Sequence, residues 1–227
     1  ETGQTISYEY DDFGRLIRSR LKDNYYLDED LAIYEYDEYI SGSNLTPSAY
    51  AGDFTLTVDR ERVKGLKTYE KLCVLDESSH QYIERRFYYD RKGRLVQTVE
   101  KNHLGEISRY STQYDFIGNI LATHESQGIP GSRYGHIVKS DYELDHRGRV
   151  RSVITSLDGT TARSDYAYDE VGNNNVKIFD TAIPTRTSYR YTIQGWLADQ
   201  ASRNFAFSLS YLNEEDNTNG NITSMRY

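Results

Sequence analysis

The sequence predicts an all-β protein: consecutive antiparallel β-hairpin repeats forming an elongated, twisted, curved sheet. Three observations lead there. A six-residue pattern, Tyr-Asp-x-x-Gly-Arg/Asn, recurs along the chain, strand-forming residues flank each copy, and aromatic residues alternate ahead of each turn. The copies read Tyr10-Asp11-Asp12-Phe13-Gly14-Arg15, Tyr89-Asp90-Arg91-Lys92-Gly93-Arg94, Tyr114-Asp115-Phe116-Ile117-Gly118-Asn119, Leu144-Asp145-His146-Arg147-Gly148-Arg149 and Tyr168-Asp169-Glu170-Val171-Gly172-Asn173. Two decayed copies follow, Tyr191-Thr192-Ile193-Gln194-Gly195-Trp196 and a terminal stretch with Asn219-Gly220-Asn221. Anchors at positions 90, 115, 145, 169 and 192 lie 23 to 30 residues apart. A period of that size marks an array in which each unit is one supersecondary element.

Each unit reads as strand, turn, strand. In Phe87–Val99 an aromatic stretch precedes the turn and a β-branched stretch follows it, which is strand composition on both sides. Asp opens the turn, where its carboxylate can accept a backbone N–H two residues on. Gly closes it, where a side chain would be penalised. The pairs Tyr8/Tyr10, Phe87/Tyr89, Tyr166/Tyr168 and Tyr189/Tyr191 sit two apart, so each pair shares a face. Asn173-Asn174-Asn175 reads as a lengthened turn or bulge. An isolated hairpin is marginal in water. Stacked hairpins would therefore bury their aromatic face, at about 150–250 Å² per ring. With 22 Tyr, 7 Phe and 1 Trp, the core is expected to be tyrosine-based, rings inside and hydroxyls reaching partners.

Between Asp11 and Asp90 the period fails. Residues 21–86 form an irregular, insertion-bearing stretch, with one degenerate echo at Tyr34-Glu35-Tyr36-Asp37-Glu38-Tyr39. Ser41–Pro47 is loop chemistry, Phe54–Val58 and Leu72–Leu75 read as strands, and a short helix is predicted around Asp28–Tyr34. Gly128–Gly131 marks the loop that lengthens the spacing from 115 to 145. No linker divides the chain, so residues 1–227 are expected to be one array, clearest over 87–227.

Composition narrows the function. A hydrophobic content of 37% with 27% charged residues fits a globular fold, and a formal charge of −8 argues against a binder of phosphate backbones. No stretch approaches a membrane-spanning helix. Cys73, the one cysteine, excludes an intramolecular disulfide and reads as a small hydrophobe. The start at Glu1 and the end inside a hairpin at Tyr227 suggest a piece of a longer array.

The recurring unit, carried by Tyr10, Asp11, Gly14 and Arg15 and by their counterparts in the later copies, resembles the defining repeat of the RHS or YD-repeat family over residues 8–20 and 87–227. The run Phe87–Glu106 and the terminal Gly220–Met225 look most like RHS proteins of Bacteroidales bacteria. The resemblance implies a spiralling strip of hairpins. In full-length relatives that strip winds into a hollow shell around a C-terminal domain, toxic in bacterial polymorphic toxins, or supports adhesion in teneurins. Some relatives are described as carbohydrate-binding surface proteins. The family's self-cleaving core segment has no counterpart here, so no cleavage residues carry over.

No catalytic, cofactor-binding or metal-binding residues are expected. His80, His103, His124, His136 and His146 lack ligand spacing, and nucleophile-elbow and phosphate-loop motifs are absent. Asp11, Asp90, Asp115, Asp145 and Asp169 are assigned to their own turns. Glu215–Arg226 resembles a calcium loop but places Arg where a bidentate Glu belongs, so the Asn219-Gly220 turn takes precedence. Tyrosines outside the repeats, Tyr25, Tyr26, Tyr39, Tyr50 and Tyr134, are the candidates to face a ligand such as a glycan. The expected role is a non-enzymatic wall of an RHS shell enclosing or displaying a C-terminal domain in a secreted or surface bacterial protein. The alternative is an extracellular carbohydrate-binding or adhesion module. Expected partners are the rest of the array and its cargo, with edge-to-edge self-association through unpaired strands.

Overall fold

The computed structural model describes residues 3–22, 28–40, 44–75, 81–128, 135–180, 183–212 and 220–227. The chain forms two compact units, Glu1–Lys139 and Ser140–Tyr227. The boundary falls inside a strand, β11 (His136–Leu144), rather than in a linker.

The first unit holds β1 (Thr5–Tyr10), β2 (Leu16–Lys22), β3 (Asp28–Tyr36), β4 (Tyr50–Ala51), β5 (Phe54–Thr55), β6 (Lys67–Val74), β7 (Gln81–Tyr89), β8 (Leu95–Lys101), β9 (Ile107–Tyr114) and β10 (Ile120–Gln127). After β11 the second unit continues with β12 (Val150–Leu157), β13 (Thr160–Tyr168), β14 (Asn174–Asp180), β15 (Thr185–Tyr191), β16 (Leu197–Ser202), β17 (Ala206–Ser210) and β18 (Ser224–Arg226). Of the eighteen strands among the described residues, sixteen are ordered in an open antiparallel sheet as they are in the sequence, and β4 and β5 make a separate ribbon. Among the described residues there is no helix. The predicted helix at 28–34 is instead the start of β3. Neighbouring edges decide the matter: Ala32 lies between Ser19 of β2 and Leu72 of β6 in register, and Asp30 pairs with Arg18 and Arg20. Ladder hydrogen bonds on both sides override a weak local preference.

A β-bulge follows the turn in the motif hairpins at Asp11, Asp90, Asp115, Asp169 and Thr192. Tyr10 pairs with Leu16 and Glu9 with Arg18, which leaves Ile17 as the extra residue. Val96, Leu121, Asn175 and Ala198 are its counterparts. Asn175 is thus one instance of a general bulge, and the Asp169–Asn173 turn is no longer than the others. The β3–β6 ladder carries the same bulge: Tyr36 pairs with Lys67 and Glu35 with Tyr69, so Thr68 is the extra residue. This reveals a repeat hidden in the irregular stretch. Asp37 N–H donates to Leu66 O at 3.1 Å, as Asp11 N–H does to Arg15 O at 3.0 Å, and Gly65 N–H donates to the Asp37 carboxylate at 2.6 Å. Tyr36-Asp37 and Gly65-Leu66 are the two halves of one repeat turn, opened by an insertion of residues 38–64. The period does not fail there; its turn is interrupted.

The insertion folds back onto one face of β7–β10 and makes the principal core. Ala51, Phe54 and Leu56 pack with Val96 and Ala122, while Leu45 packs with Tyr88 and Val99. The strand expected at 54–58 is only Phe54–Thr55, because Leu56 turns inward and donates its N–H to Ala49 O. The expected tyrosine core is not found. Tyr88 is the one buried tyrosine among the described residues, and Tyr8 and Tyr10 are more than half exposed. A single-layer sheet offers repeat aromatics no opposing layer to bury them, except where the insertion supplies one. On the opposite face, Lys67, Glu70, Arg85 and Glu100 form a chain of ion pairs across β6, β7 and β8.

Leu45, 1% exposed, anchors the insertion. Leu45→Ala is expected to destabilise the protein by about 2–5 kcal/mol in urea unfolding. The exposed Leu104→Ala should stay within about 0.5 kcal/mol. Equal effects would mean that the insertion is not docked.

Candidate functional site

The repeat turns share one plan, an Asp carboxylate that accepts N–H groups of its own turn, with Asp115 and Asp169 taking the Gly118 and Gly172 N–H at 2.7 Å. In the first, Asp11 Oδ1 accepts the N–H groups of Phe13 (3.0 Å) and Arg15 (2.8 Å), and Oδ2 accepts Arg15 Nε (2.7 Å). Asp90 does the same with Lys92 and Arg94, and Asp145 with Arg147 and Arg149. Where Asn replaces Arg, Asn119 and Asn173 donate their side-chain amides to Asp115 and Asp169 at 2.8 and 3.0 Å. Gly14, Gly93, Gly118, Gly148 and Gly172 all have positive φ, from 75 to 109°. This is a short hairpin loop ending in a left-handed residue, where glycine carries no steric penalty. Burial alone would raise the Asp145 carboxyl, but donors from Arg149 and Arg147 outweigh it and hold it at about 2. The Arg15 side chain and the Gly65 N–H hold Asp37 at about 2.

The motif tyrosine and arginine act between repeats. Tyr36 OH donates to Leu16 O (3.1 Å), Tyr89 to Lys67 O (2.6 Å) and Tyr114 to Leu95 O (3.0 Å) in the first unit. Tyr168 donates to Val150 O (2.7 Å), Tyr191 to Asn174 O (2.9 Å) and Tyr211 to Leu197 O (2.6 Å) in the second. Each hydroxyl thus caps the carbonyl that follows the turn of the hairpin before it. The arginines lie over the next repeat's ring: Arg15 over Tyr36 at 4.4 Å, Arg94 over Tyr114 at 4.8 Å and Arg149 over Tyr168 at 4.3 Å. Arg15 also bonds the Asp37 carboxylate, and Arg94 the Asp115 carbonyl.

Tyrosines assigned to ligand contact fall elsewhere. Tyr25, Tyr26 and Tyr134 lie outside the described residues, and Tyr50 opens β4. Tyr39 belongs to the core rather than to a ligand surface. Its ring lies 5.2 Å from Tyr88, its hydroxyl accepts the Tyr89 N–H at 3.1 Å, and burial pushes its phenol up to about 12. Cys73 is half-buried, and burial together with its hydrogen bond to Glu29 raises the thiol to about 11, so thiolate chemistry is suppressed.

A polar cavity of about 340 Å³ lies between the insertion and the sheet. Strand register builds its floor. Gln97, Ser111 and His124 are aligned across β8, β9 and β10, and Arg109 is opposite Ser126 in the adjoining row. Thr46, Pro47, Ser48 and Ala51 of the insertion form the wall. Gln97, 1% exposed, joins the two layers: its Oε1 accepts the Ser48 N–H at 2.8 Å and its Nε2 donates to Ser111 Oγ at 2.8 Å. Gly52, at φ +62°, lets the ribbon turn approach the His124 ring, where a Cβ would stand 2.9 Å from Cδ2. Burial pushes His124 below the usual imidazole range; Asp53 opposes that shift and Lys139 adds to it. Asp53 is itself paired with Lys139 at 2.8 Å. Among the described residues no group of His, Cys, Asp and Glu could hold a metal ion. Sequence reading left these cavity residues out because no local motif links β8–β10 to a segment some fifty positions earlier. The apolar Leu45 within the loop chemistry of Ser41–Pro47, followed by Ala51, Phe54 and Leu56, was the available signal.

Fold and turns together define a β-hairpin repeat protein. No family model and no curated protein matches the chain. Among solved structures, the crystal structure of TcdB2-TccC3-Cdc42 is similar to it at 15% identity with a TM-score of 0.37, covering 93% of this chain and 12% of that one. This chain therefore spans a small part of that structure's length.

Carboxylates held below their unfolded value of about 4 stabilise the fold above that pH and lose the effect as pH falls through the folded value. The gap in unfolding midpoint between wild type and Asp145→Asn should be constant from about pH 7 to 5 and close between about pH 4 and 2. A gap that persists undiminished at the acid end would show that this carboxylate is not held by its turn.

Proposed function

We propose that this chain is a structural, non-enzymatic stretch of an RHS/YD-repeat strip that encloses or displays a further domain in a secreted or surface bacterial protein. The observation that carries the reading is the assignment of the motif residues. Tyr, Asp, Gly and Arg are all engaged in closing their own turn or fastening the neighbouring repeat, as in the Asp90, Arg94 and Tyr114 set. They form a scaffold and leave the two variable turn positions free to differ from copy to copy. Several of those positions carry exposed apolar side chains, Phe13, Phe116 and Ile117 in the first unit and Val171 and Ile193 in the second. Solvent-facing apolar residues at repeated turn tips suit a wall that meets another body, whether more of the strip or its cargo.

The test is to obtain the parent gene through both ends of this sequence and express its full product. In the shell reading, further Tyr-Asp-x-x-Gly hairpins flank the chain, and a domain following them resists protease in the intact protein but not when expressed alone. A parent that ends at a surface anchor, with no enclosed domain, would replace this reading with adhesion or glycan binding.

A further inference from the structure

We propose that the cavity between the insertion and strands β8–β10 binds a compact oxyanion, a phosphate or a carboxylate, anchored by the Arg109 guanidinium. The proposal is independent of the scaffold reading, since it concerns the insertion that interrupts the repeats.

The starting point is an arginine without a counter-charge. Arg18, Arg20 and Arg85 in the same unit each pair with a carboxylate. Among the described residues Arg109, itself half-buried, makes no salt bridge, and its Nε, like that of Arg86, is buried without a hydrogen-bond partner. A buried cationic donor lacking an acceptor is costly, and the cost is relieved by a bound anion. The chain is acidic overall, with a formal charge of −8, yet among the described residues no Asp or Glu lines this cavity. The nearby acid, Asp53, is already taken by Lys139.

The remaining lining supplies what an oxyanion needs. Ser111 Oγ accepts from Gln97, which leaves its own proton to donate inward. Ser126 sits opposite Arg109 in the ladder, and His124 opposite Ser111. Thr46 adds a hydroxyl from the insertion side. One planar guanidinium with hydroxyl and imidazole donors around it matches the several acceptor lone pairs of an oxyanion. At about 340 Å³ the cavity holds such an anion with bridging water, since liquid water occupies roughly 30 Å³ per molecule.

Calorimetric titration of the protein with inorganic phosphate, and separately with acetate, tests this at constant ionic strength set with sodium chloride. The expected result is saturable one-to-one binding of at least one anion, and the stronger of the two identifies the class. At roughly 100 times Kd the bound anion should raise the unfolding midpoint by about 5 °C. Arg109→Gln should weaken binding about tenfold or more, and Arg109→Lys should fall between, because the ammonium keeps the charge but not the planar fork. Ser126→Asp, which places a carboxylate opposite Arg109, should raise the midpoint without ligand and abolish binding. Absence of saturable binding by wild type for both anions would overturn the proposal. So would undiminished affinity in Arg109→Gln or in Ser126→Asp.

Discussion

A sheet with only one layer has no hydrophobic partner for either face, so its hairpins must be held to one another along their edges. The hydrogen bond from each motif tyrosine to the carbonyl just past the preceding turn does this, as with Tyr114 and Leu95 or Tyr168 and Val150. Its net value is about 0.5–1.5 kcal/mol per bond, but it recurs repeat after repeat and fixes where one hairpin lies on the next. The arginine strengthens the same junction. It is clamped by its own Asp and lies over the ring that the next repeat contributes, so one side chain joins turn closure to repeat stacking. Tyrosine is needed for this rather than phenylalanine, which would keep the ring contact and lose the hydroxyl.

The insertion at residues 38–64 shows what the strip gains when a second layer is present. Leu45, Phe54 and Leu56 bury the face of β7–β10 that elsewhere in the array stays half-exposed, and the buried Gln97 fixes the layer by a hydrogen bond to Ser48. The second layer also creates a polar cavity with no carboxylate among its described lining residues, which an unadorned hairpin strip has no means to form. Scaffold and specialised site are thus separable. Repeat turns set the strip, and an opened turn provides a place to add chemistry without disturbing the register on either side, since Tyr36 and Lys67 still pair as Tyr10 and Leu16 do.

Much of this was legible in the residues. The turns at Asp11, Asp90, Asp115, Asp145 and Asp169 could be placed from spacing, because Asp and Gly have strong positional reasons to occur there. The all-β class followed from the same repeats. Three features were hidden. Tyr36-Asp37 and Gly65-Leu66 are far apart in sequence, so a pattern defined by fixed spacing could not join them. The burial of tyrosines was overestimated because alternation reports which face a ring takes, not whether anything covers that face. Arg109 and His124 lie outside the motif residues of the strands that flank the Asp115 turn, and only cross-strand register brings them under the insertion.

The most direct measurement is residue-resolved amide hydrogen exchange at the interrupted turn. The Asp37 N–H, bonded to Leu66 O, and the Gly65 N–H, bonded to the Asp37 carboxylate, should be protected to the same degree as those of Asp90 and Gly93 in an uninterrupted turn. Exchange at Asp37 and Gly65 as fast as in an open loop, with Asp90 and Gly93 protected, would contradict the conclusion that residues 38–64 interrupt a true repeat.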